Sequence, residues 1–401
     1  MTKTGHTFYL CYFGLREPLV QTQVLPYLRE INKLENLKVS LLTFEPNFGK
    51  NWTNEQLAAE KRKLSLENID WHSLPYHKRP SAPATAFDVL NGVRFVLNLA
   101  RKEKIDFLHA RAHIPMLMAL IIERFTKIRI IFDIRGLIAE EYMDAGIWQE
   151  NSKPFRLIKW VERKGIEKAA QIVVLTSRMR DYLVENNLKK RENIEVIPCC
   201  VDFSRIDRTK EIERRSRFEL IYAGSVTGLY LLREMGSFFL ELKKQKTDAF
   251  FRILTASPPE IVRAEFSAFG IGENDYAVAK VLPDEVPKYL KQAHLGISFR
   301  KPTFSQIASS PTKIPEYLAC GLPVVSNYGI GDTDYLLETE NVGIILRGFE
   351  EKDYRETLEK IEELLQDKSL RERCRQAAYK NFDLETIAGE RYRKVYRKLL
   401  N

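Results

Sequence analysis

Short apolar runs alternate with amphipathic stretches along almost the whole chain. In the first half, Phe8–Phe13, Leu37–Phe44, Ile69–Leu74, Phe107–Ala110, Ile128–Asp133, Ile172–Leu175 and Ile194–Ile197 read as strands. Between them, Thr22–Leu34 carries Val24, Leu25, Leu28 and Ile31 at helical spacing. Asn54–Glu67, Phe87–Lys102, Pro115–Phe125, Phe155–Ala170 and a stretch opening at Ser177 also read as helices, and Pro75–Pro83 as a basic, proline-containing loop. Strands alternating with helices imply parallel pairing, because each parallel crossover needs a dozen or more residues. The first half is therefore expected to be a doubly wound α/β sheet.

Asp202–Arg217 is charged and lacks aliphatic periodicity, which marks a linker. The pattern then restarts. Phe218–Tyr222, Phe250–Thr255, Tyr276–Leu282, Leu295–Phe299, Pro323–Ser326 and Val342–Leu346 read as strands. Leu229–Gln245, Pro259–Ala268, Val286–Gln292, Thr312–Ala319, Tyr354–Gln366, Leu370–Phe382 and Leu384–Leu400 read as helices. Two such sheets give a domain over residues 1–205 and a second over 206–383, with a terminal helix over 384–401. Open α/β sheets bind ligands at the carboxyl ends of their strands, where strand order reverses. The loops after strands are thus the places to look for chemistry.

The 401 residues are 44% hydrophobic and 29% charged, with 19 Gly and 17 Pro, which sets aside disordered, collagen-like and coiled-coil classes. Five cysteines without a CxxC pair form neither a disulfide framework nor a zinc site, so a reducing cytoplasm is the expected location. The apolar start is broken by Gly14, Arg16 and Glu17, unlike a signal peptide. Ile114–Ile122 is too short to cross a bilayer. Net charge is +9, and residues 153–217 hold 17 Lys and Arg against 10 Asp and Glu, so most of the excess sits there. This stretch is either a set of solvated helix faces or an attractor for an anionic membrane surface or a phosphorylated substrate. No helix-turn-helix, zinc or RNP-type signature points to nucleic acid.

The densest constellation runs from Ser309 to Ser326, reading SSPTKIPEYLACGLPVVS. Ser and Thr precede a helix whose first turn carries Lys313 and Glu316 on one face, Gly321 ends it, and Pro323 opens a strand. A helix start in the crevice attracts anions, and Lys313 adds to the attraction. The alternative is a capped helix with one surface ion pair.

This segment resembles the nucleotide-binding segment of the GT-B glycosyltransferases, of the retaining family-four (group 1) type. Phe132-Asp133-Ile134-Arg135-Gly136 with Glu140-Glu141, Val174–Ser177, Val196–Asp202 and Tyr222–Ser225 resemble further segments of that family, in order along nearly the whole chain. The resemblance implies two Rossmann-like doubly wound domains facing a central cleft, with the last helix crossing back to the first domain. It also implies a nucleotide-sugar donor held by the second domain and a glycan or lipid-linked acceptor on the first. Transfer would retain the anomeric configuration, without a cofactor or an obligatory metal. Many relatives build envelope or capsule polysaccharide, so a peripheral contact of the cytoplasmic protein with anionic membrane is expected, through residues 153–191 and the basic last helix.

The same resemblance distributes the roles. Glu316 matches the second glutamate of the family's E-x7-E motif, at the ribose hydroxyls, but Ala308 stands in place of the first. The basic pair usual after the Gly-containing loop is missing from Gly224–Tyr230. Lys313, and then Arg300, are the substitutes expected to neutralise the leaving diphosphate. Gly14, Gly224, Ser225, Ser310 and Thr312 are expected at the donor. His113 or Arg111 would fill the place of a catalytic-region histidine. Arg135 serves either a substrate or a salt bridge to Asp133 or Glu140, and Glu140 either an acceptor hydroxyl or solvent. The missing glutamate leaves a second reading open, a GT-B binding or scaffold protein that has lost transfer. A sugar-nucleotide epimerase of the same fold is a third. An NAD(P) oxidoreductase is disfavoured, since no GxGxxG follows the first strand.

Overall fold

The computed structural model describes residues 5–206 and 212–400; part of the linker expected at 202–217 lies outside them. The chain forms two units. One takes residues up to Ala139, Trp148–Pro198 and the chain from Leu384 onward; the other takes Glu140–Ile147 and Cys199–Asp383. The first boundary therefore falls at Pro198 rather than at 205, and a short helical segment after Ala139 belongs to the second unit.

The first unit holds a parallel sheet of β1 (Gly5–Cys11), β2 (Leu37–Pro46), β3 (Ile69–Tyr76), β4 (Phe107–Arg111), β5 (Arg129–Asp133), β6 (Gln171–Val174) and β7 (Ile194–Val196), in the order β3-β2-β1-β4-β5-β6-β7. Order reverses between β1 and β4. Central β1 is buried at every position, while edge strand β3 is mostly half-exposed. That difference is what a sheet covered on both faces produces, because inner strands have no solvent side. The second unit repeats the scheme with β8 (Glu219–Ala223), β9 (Phe250–Leu254), β10 (Tyr276–Ala279), β11 (Leu295–Ser298), β12 (Val324–Asn327) and β13 (Gly343–Leu346), ordered β10-β9-β8-β11-β12-β13. Its reversal lies between β8 and β11. Two apolar layers sandwich this sheet, one built on Tyr317, Leu318 and Val324, the other on Phe238, Phe251 and Phe266.

Every strand expected from the sequence is present, within three residues at each end. The helices differ more. The stretch expected as one helix over Thr22–Leu34 is two, Pro18–Gln23 and Leu25–Ile31, broken at Val24. Pro26 lacks the N–H that a continuous helix would use. Ile138–Asp144 and Thr333–Thr339 are helices of seven residues each, too short to show a period in sequence. All five cysteines are buried and unpaired. Among the described residues no helix is long and apolar enough to cross a membrane.

The chain ends in a π-helical turn, Leu384–Gly389, and the helix Glu390–Leu400, both in the first unit. Two tyrosines tie this helix to the sheet. The Tyr396 hydroxyl meets Thr7 Oγ1 at 3.0 Å and His109 Nδ1 at 2.7 Å. Tyr392 donates to Asp133 Oδ2 at 3.0 Å. The basic residues of this helix make contacts within the unit. Arg391 donates to the Val196 carbonyl, Arg393 pairs with Glu30 and Glu390, and Lys394 pairs with Glu195. Arg397 lies 3.7 Å from Glu390, and Lys398 donates to the Glu192 carbonyl.

Replacing Tyr396 by Phe keeps the packing and leaves Thr7 and His109 without their shared partner. Because stranded buried polar groups cost roughly 1–3 kcal/mol, the variant should unfold earlier in urea by about that much, read by circular dichroism. Unchanged stability would show that the hydroxyl contributes nothing.

Candidate functional site

The carboxyl ends of β8 and β11 flank the reversal in the second sheet, and the segments leaving them are stitched together. Leu231 N–H donates to the Phe299 carbonyl and Lys301 N–H to the Leu229 carbonyl, around an antiparallel bridge between Tyr230 and Arg300. Arg300 N–H donates to Asn327 Oδ1 at 2.8 Å, which ties the same segment to the end of β12. Tyr222, at the penultimate position of β8, donates its hydroxyl to the Ser225 carbonyl and so closes the turn. Ser225 itself is exposed, with Oγ 3.2 Å from Thr227 Oγ1.

Lys313 enters this frame from below. It is the first residue of the helix Lys313–Ala319 and is only 5% exposed. Its Nζ lies 4.1 Å from the centroid of the Tyr230 ring and 5.0 Å from that of Tyr222. The Arg300 guanidinium lies over the same ring, 4.8 Å from the Tyr230 centroid, and its Nη1 donates to the phenol oxygen at 3.4 Å. Two cations thus rest on one tyrosine, and neither has an ion pair among the described residues. Burial depresses the Lys313 ammonium's proton affinity and the Arg300 charge adds to this, while Tyr230 opposes it. Lys313, and Arg300 less strongly, pull the Tyr230 phenol below its ordinary range against its burial.

Gly224 makes this possible. Its φ of +142° is one that side-chain-bearing residues rarely adopt, and a Cβ there would stand 3.0 Å from Lys313 Cε and 3.2 Å from Nζ. The ammonium occupies the space that a side chain would fill.

Glu316 does not pair with Lys313. It stays partly exposed one turn along, and burial of its carboxyl pushes it up to about 7, against the opposing pull of Lys313 and Arg205. Thr312 is exposed and makes no side-chain cap, so the expected capping hydroxyl is missing from a helix of seven residues. Ser310 turns to its own unit, where its Oγ accepts from Cys199 N–H at 3.1 Å. Ala308 ends the 3-10 turn Phe304–Ala308 and is buried. Glu140 lies on Ile138–Asp144 and is 9% exposed; that segment is held to the second unit by Asp144, which accepts from Lys301 Nζ at 3.1 Å and Ser305 Oγ at 2.6 Å.

The remaining expected residues lie in the first unit. Gly14 is buried against Pro46 and Glu45, so its close approach is to protein. His113 opens the helix His113–Thr126, is fully buried, and has Nε2 3.2 Å from Glu162. Arg111 and Arg135 both lean on Asp133, at 3.4 Å and 3.5 Å. Burial would raise the Asp133 carboxyl, yet Arg135, His109 and Arg111 together hold it well below the carboxylate range. Of the two readings of Arg135, the contact present here is the salt bridge to Asp133. Sequence reasoning missed Tyr222 and Tyr230, the aromatic walls around Lys313. The stretch Gly224–Tyr230 drew attention for lacking a base, while its signal was the tyrosine at its end.

Residues 38–205 match the family described as Glycosyltransferase Family 4, and residues 233–399 the family described as Glycosyl transferase-like. Among solved structures, sucrose-phosphate synthase from Thermosynechococcus elongatus superposes with a TM-score of 0.71 at 13% identity, over 98% of this chain and 99% of that one. Anabaena HepE in complex with UDP and glucose gives 0.66 at 12%, over 97% and 99%. UDP-GlcNAc 2-epimerase from Neisseria meningitidis bound to UDP-GlcNAc gives 0.59 at 13%, over 98% and 100%. No curated protein sequence matches significantly. The chain belongs to the group 1 glycosyltransferases and has the GT-B fold of two Rossmann-like units.

The raised Glu316 carboxyl carries a pH signature. Between its ordinary 4.5 and about 7 the folded chain holds a proton there that the unfolded chain has lost. Its contribution to stability is full below 4.5 and disappears as pH rises through about 7. Glu316→Gln should therefore flatten the decline in Tm between those values, in a thermal melt series across pH. Parallel curves for variant and wild type would remove Glu316 from that titration.

Proposed function

We propose that this glycosyltransferase moves a sugar from a nucleotide-sugar donor to a glycan or lipid-linked acceptor with retention, and that Lys313 and Arg300 hold the departing diphosphate. The carrying observation is the pair of cations gathered on Tyr230, without a carboxylate partner among the described residues, at the strand-order reversal where open α/β sheets bind ligands. Uridine donors head the list, because HepE was solved with UDP and with UDP-glucose and the meningitidis epimerase with UDP-GlcNAc.

Glycosyl transfer proceeds through an oxocarbenium-like state while negative charge grows on the leaving phosphate. Fixed cations already aimed at that charge stabilise it without reorganising, which is commonly the largest catalytic contribution. Backbone near Gly224 lies against Lys313 and shares the task. The phosphate then accepts the acceptor's proton on the face it leaves, which accounts for retention without a side-chain nucleophile. Glu316 takes the ribose hydroxyls. No metal is required in this scheme, and the biological setting is envelope or capsule polysaccharide assembly on the cytoplasmic side of a membrane.

Lys313→Met keeps much of the volume and removes the charge. Turnover should fall at least about tenfold, equivalent to about 1.4 kcal/mol of barrier, with melting temperature as the control for folding. A thermal-shift screen of UDP, GDP, ADP and CMP sugars should single out one nucleotide class in wild type and lose that response in the variant. Turnover unchanged in Lys313→Met would take Lys313 out of the reaction.

The membrane contact rests on the helix Lys153–Lys168. Its outer face presents Lys153, Arg156 and Arg163, none ion-paired among the described residues, around the half-exposed Leu157 and Trp160. Beside it, the same helix and Ser177–Glu185 border a groove of about 1010 Å³ that includes Leu188 and Lys190. Cations around a Trp suit an anionic bilayer surface, each basic side chain adding about 1 kcal/mol. The protein should co-sediment with phosphatidylglycerol vesicles and much less with phosphatidylcholine. The double reversal Arg156→Glu, Arg163→Glu should cut that binding at least about tenfold. Sedimentation indifferent to lipid charge would end this part of the proposal.

A further inference from the structure

Away from the cations of the second unit, the first unit carries a histidine held by a buried acid at the carboxyl edge of its own sheet. His77 follows β3 directly, and Tyr12 follows β1, next to the strand-order reversal. Both converge on Asp88, which is 0% exposed on the helix Ser81–Ala100. Asp88 Oδ2 accepts from the Tyr12 hydroxyl at 2.8 Å and from His77 N–H at 2.9 Å. Asp88 Oδ1 lies 2.5 Å from His77 Nδ1.

The geometry fixes the ring's chemistry. An ionised carboxylate only accepts hydrogen bonds, so His77 Nδ1 carries the proton and donates it. Nε2 then holds the free lone pair, and the carboxylate on the opposite nitrogen fixes the orientation of the ring. Nε2 has no hydrogen-bond partner among the described residues, and the side chain is 44% exposed. The loop itself is already anchored without the ring, because the backbone N–H of His77 and the Tyr12 hydroxyl both reach Asp88. Orientation of the imidazole is therefore an additional feature rather than a by-product of loop anchoring.

Around the exposed nitrogen is an apolar shelf. The Phe87 ring, more than half exposed, meets the His77 ring edge-on at 5.1 Å. Tyr12 packs edge-on against Tyr76 at 5.4 Å, and Phe13 and Leu90 are exposed on the two elements that meet at Asp88. An aromatic face beside one aimed hydrogen-bond acceptor suits a sugar, which has an apolar C–H face and hydroxyl donors at its rim.

We propose that His77, oriented by Asp88, and Phe87 form a saccharide subsite of the acceptor, with a sugar hydroxyl donating to His77 Nε2 and the ring lying on Phe87. This rests on the reading of the chain as a glycosyltransferase and locates part of its acceptor site. Six histidines make the imidazole signals of the full-length protein tractable by NMR, and His77→Ala assigns the one in question. The probes are methyl glycosides of glucose, galactose, mannose, N-acetylglucosamine and glucuronic acid.

At least one of them should shift the His77 signals saturably while leaving buried His109 and His113 unmoved. Phe87→Ala should weaken that binding at least about fivefold. His77→Ala should weaken binding of the same glycoside at least about tenfold, read by calorimetric titration, with the melting temperature unchanged, since the backbone anchor remains. If no glycoside moves His77, or if Phe87→Ala binds as tightly as wild type, the subsite is refuted. A His77→Ala variant that melts markedly lower would also refute it, because the ring would then be part of the loop's anchor. The nucleotide-sugar thermal shift, run in parallel, separates the two readings: donor binding without a His77 response sinks the subsite alone, and a His77 response without donor binding sinks the transferase reading.

Discussion

An ammonium buried without a carboxylate is the constraint around which the ligand side of the second unit is arranged. Removing such a charge from water costs several kcal/mol unless something compensates. Two tyrosine faces compensate in part, at roughly 0.5–2 kcal/mol each. The remainder is borne by the fold around Lys313: the turn closed by Tyr222, the bridge between Tyr230 and Arg300, and the missing side chain at Gly224. A second cation, Arg300, sits on the same ring and makes the cost greater. Groups held this way are at their most unfavourable when alone and improve when an anion arrives. That is the physical ground for proposing a polyanion such as a diphosphate as its ligand.

The first unit has solved its own charge problem in the opposite manner. Arg111 and Arg135 share Asp133, and Tyr392 from the last helix donates to the same carboxylate. His109 and Thr7 are taken up by Tyr396. The five cations of the terminal helix are likewise engaged. Polar groups around Asp133 position one another.

Topology was legible because strand signals survive burial. Ile128–Asp133 read as a central strand, and β5 lies between β4 and β6, buried at four of its five positions. Short helices and caps were not legible, since Ile138–Asp144 and Thr333–Thr339 run for less than two full turns of useful period. Lys313 and Glu316 were found through spacing and resemblance, and the alternative of a surface ion pair between them is not what forms, since Lys313 turns back over Gly224. Nothing local announces that, because the tyrosines that hold it come from β8 and the segment after it, some eighty to ninety positions earlier. His77 and Asp88 escaped for a related reason. A histidine in a basic loop and an acid on a helix acquire meaning only when a crossover brings them together.

The departure at Ala308 gains a physical meaning in this setting. The family resemblance places a glutamate there, near the transferred sugar, and the chain has a buried alanine. Between Phe299 and Glu316 the charged residues are Arg300, Lys301, Lys313 and Glu316, three cations against one acid. Glu316 itself is pushed up to about 7, so even that acid is partly protonated near neutrality. On the proposed reading, the balance of the segment moves from a carboxylate beside the sugar to cations beside the phosphate. Both kinds of contact act on the same barrier, since the oxocarbenium ion and the leaving anion form together as one bond breaks. Losing an acid beside the sugar therefore weakens one half of the stabilisation and, by leaving Lys313 and Arg300 uncompensated, strengthens the other. On that reading, loss of the motif residue is compatible with an active enzyme, and the burden it sheds falls on Lys313.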